Sequence, residues 1–451
     1  MEVSESLAVK HLMKVVTKSV KNGIYYYPFA SHHRFKFWFY DRFRRHRSLD
    51  QAKVFLKQNP TDANLTIQEL KGLIRTGDST NLLKRMSAYS ANITNSDPYW
   101  AKRRNELQAT FEQQKPATIF FTFSYADNHW HDLHRLMPRY YQTSLDNLDT
   151  CKKYTDVLNH PHLVDWYFSF RLNKFLEIFF DSVLECEWRW HRYEWQSRNA
   201  IHAHGAARFK NDPGLVQLTT KVYASRLAQE SSIGRVFQNT TEIQILEDLI
   251  NEGVEAEKII INYTETLLTA NNTRSDQVQE HSIPEPHPCG LRTKDVQNFE
   301  KDYEEIINCC QRHVCRLNGY CKCKKPSQEK QCRFGYPFET CEKTTIVFTK
   351  TGNSVRATIV LKRNDPYLNV HIRCTCHFWR GNVDMQIILD YHAAIAYMVK
   401  YATKSETAGH SLNQLFKDVV GPSSNDDNPQ SKIRSIMIKS IAGKRDLGNF
   451  F

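Results

Sequence analysis

The stretch that most restricts the fold is WRWHRYEWQSRNAIHAHGAARF, residues 188–209, two alternating runs divided by a polar break at Ser197–Asn199. Successive side chains of a strand point to opposite faces, so a period of two on both sides of a turn predicts a β-hairpin. In its second arm His202 and His204 flank one small residue, which puts both imidazoles on one face. In the first arm Glu194 and Gln196 share a face, with Tyr193 and Trp195 opposite. A hairpin with one polar and one apolar face needs further partners. Upstream, ATIFFTFSYAD is aromatic and β-branched and predicts a buried strand, while LVDWYFSFRLNKFLEIFFDSVL has helical length and periodicity. The expected class is therefore α+β: a central antiparallel sheet with flanking helices.

The chain has 451 residues and a net charge of +12, which suits two or three domains and an acidic partner. Residues 1–115 read as a basic, mostly helical region. HHRFKFWFYDRFRRHR and NSDPYWAKRR interleave rings with cations, so Arg34, Lys36, Arg42, Arg44, Arg45, Arg47, Lys102, Arg103 and Arg104 are candidate DNA-binding residues. Residues 116–225 carry the sheet elements, 226–288 read as a connector or insertion, 289–341 are Cys- and His-rich, 342–405 return to strand-like alternation and a helix, and 406–451 form a polar tail. No run approaches the ~20 apolar residues of a membrane span, and the N-terminus lacks a signal-peptide pattern. An intracellular protein with reduced thiols and no membrane partner is expected. No G-x-x-x-x-G-K-[ST] supports an ATP-driven motor.

YMVKYATK, residues 397–404, repeats a four-residue unit within a Gly- and Pro-free, Ala-rich stretch. On a helix Tyr397, Lys400, Tyr401 and Lys404 form one stripe, with Ile395, Val399 and Ala402 opposite. Taken alone, such a pair is an amphipathic surface stripe or a pair of nucleophiles with cations nearby. Likewise, a His-x-His pair is either an ordinary strand pair or, with Glu194 or Gln196 across the turn, a divalent-cation site with open positions.

Together, TIFFTFSYADNHWHDLHRLMP, YEWQSRNAIHAHG, CRFGYP, LKRNDPYLNVHI, WRGNVDMQIILD and AYMVKYATKSE resemble the HUH endonuclease superfamily, and within it the replication-initiator region of Helitron rolling-circle transposases. The resemblance covers most of the chain in order. It departs at SRNAIHAH, where the family commonly has an Arg-Gly turn and a Pro before the first His, and in lacking the family's usual superfamily-1 helicase, so the chain reads as either a fragment or a truncated copy. It implies a nuclear nickase and strand transferase acting on single-stranded DNA at transposon ends, with any helicase supplied separately. Mg²⁺ or Mn²⁺ would sit at His202 and His204, with Gln196 slightly preferred over Glu194 as third ligand. Tyr397 and Tyr401 would attack phosphorus and leave a 5′-phosphotyrosine, with Lys400 and Lys404 favouring phenolate or holding DNA. The runner-up is a non-catalytic DNA-binding protein derived from such a domain. A phosphodiesterase using water leaves the tyrosine stripe unexplained.

Most of the 12 cysteines lie between Cys289 and Cys376. His313, Cys315, Cys321 and Cys332 form the expected structural zinc set, with Cys323 able to replace Cys321 and with Cys309, Cys310 and Cys341 as competitors. Cys374 and Cys376, in RCTCHFW, read as alternating strand residues.

Overall fold

The computed structural model describes residues 5–18, 25–30, 32–93, 96–141, 150–195, 201–235, 239–273, 284–315, 321, 332–352, 354–392, 394–395 and 412–439. It divides into two compact units, one formed by residues 1–114 with 399–451 and the other by residues 115–398. No helix of the described residues is long and apolar enough to cross a membrane.

The larger unit is built on a four-stranded antiparallel sheet. Its strands are β1 (Ile119–Ser124), β2 (Cys186–Trp195), β3 (Ile201–Phe209) and β6 (Val383–Ile387), in the spatial order β2-β3-β1-β6. The two alternating runs of residues 188–209 pair as the predicted hairpin, with Glu194 opposite His202 and Arg192 opposite His204. β1 lies between β3 and β6, with Ser124 opposite His202 and Thr122 opposite both His204 and Asp384.

Pleating gives the sheet two unlike faces. Ile119, Phe121, Phe123, Ile201, Ala203, Ala207, Val383 and Met385 occupy the apolar one, and all are fully buried. Helix α1 (Pro161–Phe175), continuing in π-turns through Val183, covers that face. Edge-on ring contacts lock the layers: Phe123 to Trp379 at 4.9 Å, Phe121 to Phe180 at 5.0 Å and Phe123 to Phe175 at 5.2 Å. Such pairs add about 0.5–1.5 kcal/mol each beyond area burial. Gly205 sits beneath the Phe121 ring, where a Cβ would lie 2.3 Å from the ring and 2.5 Å from the Trp190 carbonyl oxygen. The glycine after the second histidine therefore allows β3 to pass under an aromatic layer.

Beyond β6 the sheet continues irregularly. The Met385 N–H donates to the Val370 carbonyl (3.1 Å), the Asn369 N–H to that of Gln311 (2.9 Å) and the His313 N–H to that of Tyr367 (2.8 Å). Residues 367–370 thus stitch the Cys/His segment to the sheet edge.

The alternating stretch after residue 342 forms a separate hairpin, β4 (Thr345–Thr351) with β5 (Ser354–Val360), outside the central sheet. Ile346 packs with Leu215, Val222, Ala256 and Ile260 of two helices, α2 (Leu215–Ser232) and α3 (Thr240–Leu267). The expected connector, residues 226–288, thus contains the end of α2 and all of α3, which share a small core with the hairpin. RCTCHFW corrects another expectation. Arg373–Trp379 is a helix, α4, not a strand, with Cys376 and Trp379 fully buried. Its 3.6-residue period places Cys376 and Trp379 on one face, as i,i+3 neighbours do.

The other unit is helical. His33–Gln58, Ile67–Thr76 and Thr80–Ser90 surround Phe55, Leu70 and Met86. Thr66 and Glu69 cap the second helix reciprocally, the Thr66 N–H donating to Glu69 (2.7 Å) and the Glu69 N–H to Thr66 Oγ1 (3.2 Å). The polar-tail reading fails here. Leu412–Val420 and Pro429–Lys439 are helices whose Phe416, Ile433 and Ile436 are fully buried in the same core.

Candidate metal centres on the sheet and at its edge

On the polar face of the sheet the two imidazoles are held from behind. His202 Nδ1 is hydrogen-bonded to Ser124 Oγ (2.9 Å) and His204 Nδ1 to Thr122 Oγ1 (3.0 Å). The rings are nearly parallel, with centroids 6.4 Å apart and planes 13° apart. Fixing each Nδ1 leaves Nε2 as the outward donor, a device that commonly orients metal-binding histidines. Burial, reinforced by the neighbouring His204, lowers the pKa of His202 to about 4, with Glu194 opposing. The ring is therefore neutral, as a ligand must be.

Glu194 Oε2 lies 3.0 Å from His204 Nε2. Two donors about 2.1 Å from one ion at a right angle stand about 3 Å apart, so this separation suits an octahedral hard-cation site. Gln196, the slightly preferred third ligand, lies outside the described residues; Glu194 is the oxygen donor the structure brings to the pair. Asp384, which the sequence reading missed, joins the same cross-strand row through Thr122. Burial raises its pKa to about 6, opposed by the Gln386 hydrogen bond and by His204. The signal for it was the alternation in VDMQI, which places Asp384 and Gln386 on one strand face.

A second donor cluster gathers His313, Cys315, Cys321 and Cys332, whose ligand atoms all lie within 4.8 Å of one another. Cys332 Sγ is 3.5 Å and Cys321 Sγ 3.6 Å from His313 Nε2. A tetrahedral centre with metal–sulfur and metal–nitrogen bonds of about 2.3 and 2.05 Å sets such pairs about 3.6 Å apart. These four residues could hold a metal ion. Cys323 lies outside the described residues. Tyr336 backs the cluster, its ring stacked on His313 at 4.1 Å with 12° between planes and its hydroxyl donating to Asn369.

Tyr397, Lys400, Tyr401 and Lys404 also lie outside the described residues. Among the candidate DNA-binding cations, Arg42, Arg45, Arg47, Lys102, Arg103 and Arg104 are exposed, and Arg103 pairs with Glu106 at 2.6 Å. Arg44 is only 7% exposed and is not available to a phosphate there. The side chains of Arg34 and Lys36 are not among those described.

The fold and its polar face define the class: an α+β protein whose antiparallel sheet carries a largely buried histidine pair and a carboxylate on one face. Residues 21–206 match the family model described as the Helitron helicase-like domain at the N-terminus. That stretch contains Glu194, His202 and His204 and ends within β3, and over it the chain is similar to that Helitron domain. No curated protein matches the chain.

Proposed function

We propose that this protein is a metal-dependent endonuclease and strand transferase of the HUH type, acting on single-stranded DNA in rolling-circle-like transposition. The observation that carries the reading is the row of His202, His204 and Glu194 on one sheet face, each imidazole fixed through Nδ1 by a hydroxyl of the central strand. The Helitron match over the same residues supports it. A bound Mg²⁺ or Mn²⁺ would polarise the scissile phosphate and stabilise charge on its oxygens.

In this reading the chain's own residues divide the remaining work. His202, His204 and Glu194 hold the ion, while Ser124 and Thr122 keep the rings aimed. Tyr397 or Tyr401 supplies the phenolic oxygen that attacks phosphorus, forming the phosphotyrosine bond as the 3′-oxygen leaves with its electron pair and gains a proton. Lys400 and Lys404 favour the phenolate or hold adjacent phosphates. Because the phosphodiester energy is retained, a second 3′-hydroxyl can reverse the step without ATP. His313, Cys315, Cys321 and Cys332 bind zinc and fasten the sheet edge. Transposon ends as substrate and the nucleus as the site of action belong to the same proposal.

The test is incubation with labelled single-stranded oligonucleotides and Mn²⁺, followed by denaturing electrophoresis. A DNA adduct that survives denaturation and maps to Tyr397 or Tyr401 is expected. Absence of an adduct across varied sequences, or attachment to another residue, overturns the assignment.

A further inference from the structure

On the α1 side of the sheet lies a polar pocket that none of the above employs. Trp130, Asp132, Arg171, Arg292, Phe378 and Arg380 are among its lining residues. It is tied to the end of β1 through the Trp379–Arg380 segment. The Ser124 carbonyl accepts the Trp379 Nε1–H (2.9 Å), the Ser124 hydroxyl bonds His202, and the Trp130 Nε1–H donates to the Arg380 carbonyl (2.6 Å).

The pocket's charge is unbalanced. Arg380 is neutralised by Asp302, with contacts of 3.0 and 2.9 Å. Arg292 must share Asp132 with Arg135, which lies 3.1 Å from the same carboxylate oxygen. Arg171 has no carboxylate partner among the described residues. It donates to the carbonyls of Phe378 (3.0 Å) and Trp379 (2.8 Å) and lies 4.3 Å from the centroid of the Trp130 ring. Stacking and carbonyl contacts orient this guanidinium without cancelling its charge. At the rim Phe378 is 52% exposed, an apolar aromatic platform beside a cationic pocket.

We infer that this pocket binds one nucleotide of a single strand, its phosphate at Arg171 and Arg292 and its base on Phe378. This rests on the proposed single-strand activity and assigns a further contact for the strand, on the α1 side of the sheet. The chemistry selects a planar, π-faced group carrying an oxyanion, and base stacking tolerates any sequence.

The test uses the full chain and a fluorescein-labelled oligothymidylate, titrated by anisotropy across a salt series. Arg292→Ala should weaken binding and reduce the slope of log K against log salt by about 0.7, as for one single-strand phosphate. Phe378→Ala should weaken binding about 10-fold with the slope unchanged. Both side chains are partly exposed, and far-ultraviolet circular dichroism checks that each variant is folded. An independent reading comes from photocrosslinking wild-type protein to a bromodeoxyuridine-substituted strand, expected on the peptide containing Phe378. Wild-type affinity and slope in both variants, or crosslinks only elsewhere, overturn the inference. If wild type forms no covalent adduct yet binding depends on Arg292 and Phe378, the nuclease reading falls and the subsite stands. If adducts form and both variants bind normally, the subsite alone falls.

Discussion

The histidine face and the Cys/His cluster are both donor sets, but they are organised by opposite means. His202 and His204 sit on a regular strand at the middle of a sheet, each ring held by a hydroxyl on the next strand. Ladder hydrogen bonds and the aromatic layer beneath fix that geometry before any ion arrives. His313, Cys315, Cys321 and Cys332 come from segments with little regular structure, joined to the sheet through a few backbone bonds at residues 367–370. Three thiols close together gain little from one another; an ion that binds them as thiolates supplies the cohesion. In the proposed function one site receives a metal for chemistry, and the other is organised by the metal it binds.

The largest effect that could break this contrast is on cleavage. His202→Ala with His204→Ala should reduce adduct formation by on the order of 10³-fold or more while sparing most DNA binding and the melting temperature. Undiminished cleavage by this double variant in stringently metal-free buffer removes the ion from the reading. Replacing the tyrosines should be equally decisive: Tyr397→Phe with Tyr401→Phe leaves no adduct, whereas one single variant keeps most of the first nick. Mass-spectrometric mapping of the linked peptide reads the outcome.

For the cluster the expectation is reversed. Cys315→Ser or Cys332→Ser should lose about one tightly bound zinc per chain, measured by elemental analysis, and lower stability by several kcal/mol, about the scale of losing a structural metal. Well-folded protein without zinc would make the two sites alike and end the comparison. A smaller effect sharpens it. Ser124→Ala or Thr122→Val should weaken Mn²⁺ binding about 10- to 100-fold without unfolding the chain, as expected when a ligand loses its orienting partner. Isothermal titration would show it, and unchanged affinity would mean that the hydroxyls are bystanders.

The smallest test is a pH effect away from either site. His371 is fully buried between the Tyr303 hydroxyl (2.7 Å) and the Asn369 carbonyl (2.8 Å), and burial lowers its pKa to about 4. The folded state thus favours the neutral ring, whereas the unfolded chain protonates near pH 6.5. Its stabilising contribution is complete above pH 6.5, is lost as pH falls towards 4, and totals on the order of 3 kcal/mol. His371→Gln should flatten that part of the stability–pH curve in denaturant titrations. An unchanged curve would place the acid sensitivity elsewhere.

What the sequence disclosed follows the same division. A period of two is a strong local signal, so the hairpin, the shared face of the histidines and the buried FFTF strand were all readable. The cluster was readable through residue type, and the four donors singled out are those the fold gathers. Short helical patterns were harder. Leu412, Leu415, Phe416, Val419 and Val420 keep the i,i+3,i+4,i+7 spacing, but nine residues beside SSNDD gave little weight against a polar background. RCTCHFW is too short for alternation and helical period to differ, and its burial comes from tertiary packing. Arg44 illustrates another limit, since composition gives a helix its cations but not the face each one occupies.

The placement of β1 has a consequence for synthesis. One neighbour, β3, follows within 82–90 residues of its start, but the other, β6, begins only at Val383. At about 5–20 residues per second, a ribosome needs roughly 10 to 35 s between the end of β3 and the start of β6. Throughout that interval an IFFTF strand presents a bare edge to the cell, the kind of surface on which chains aggregate. A piece of the chain ending at residue 206, where the family match stops, would keep that edge permanently.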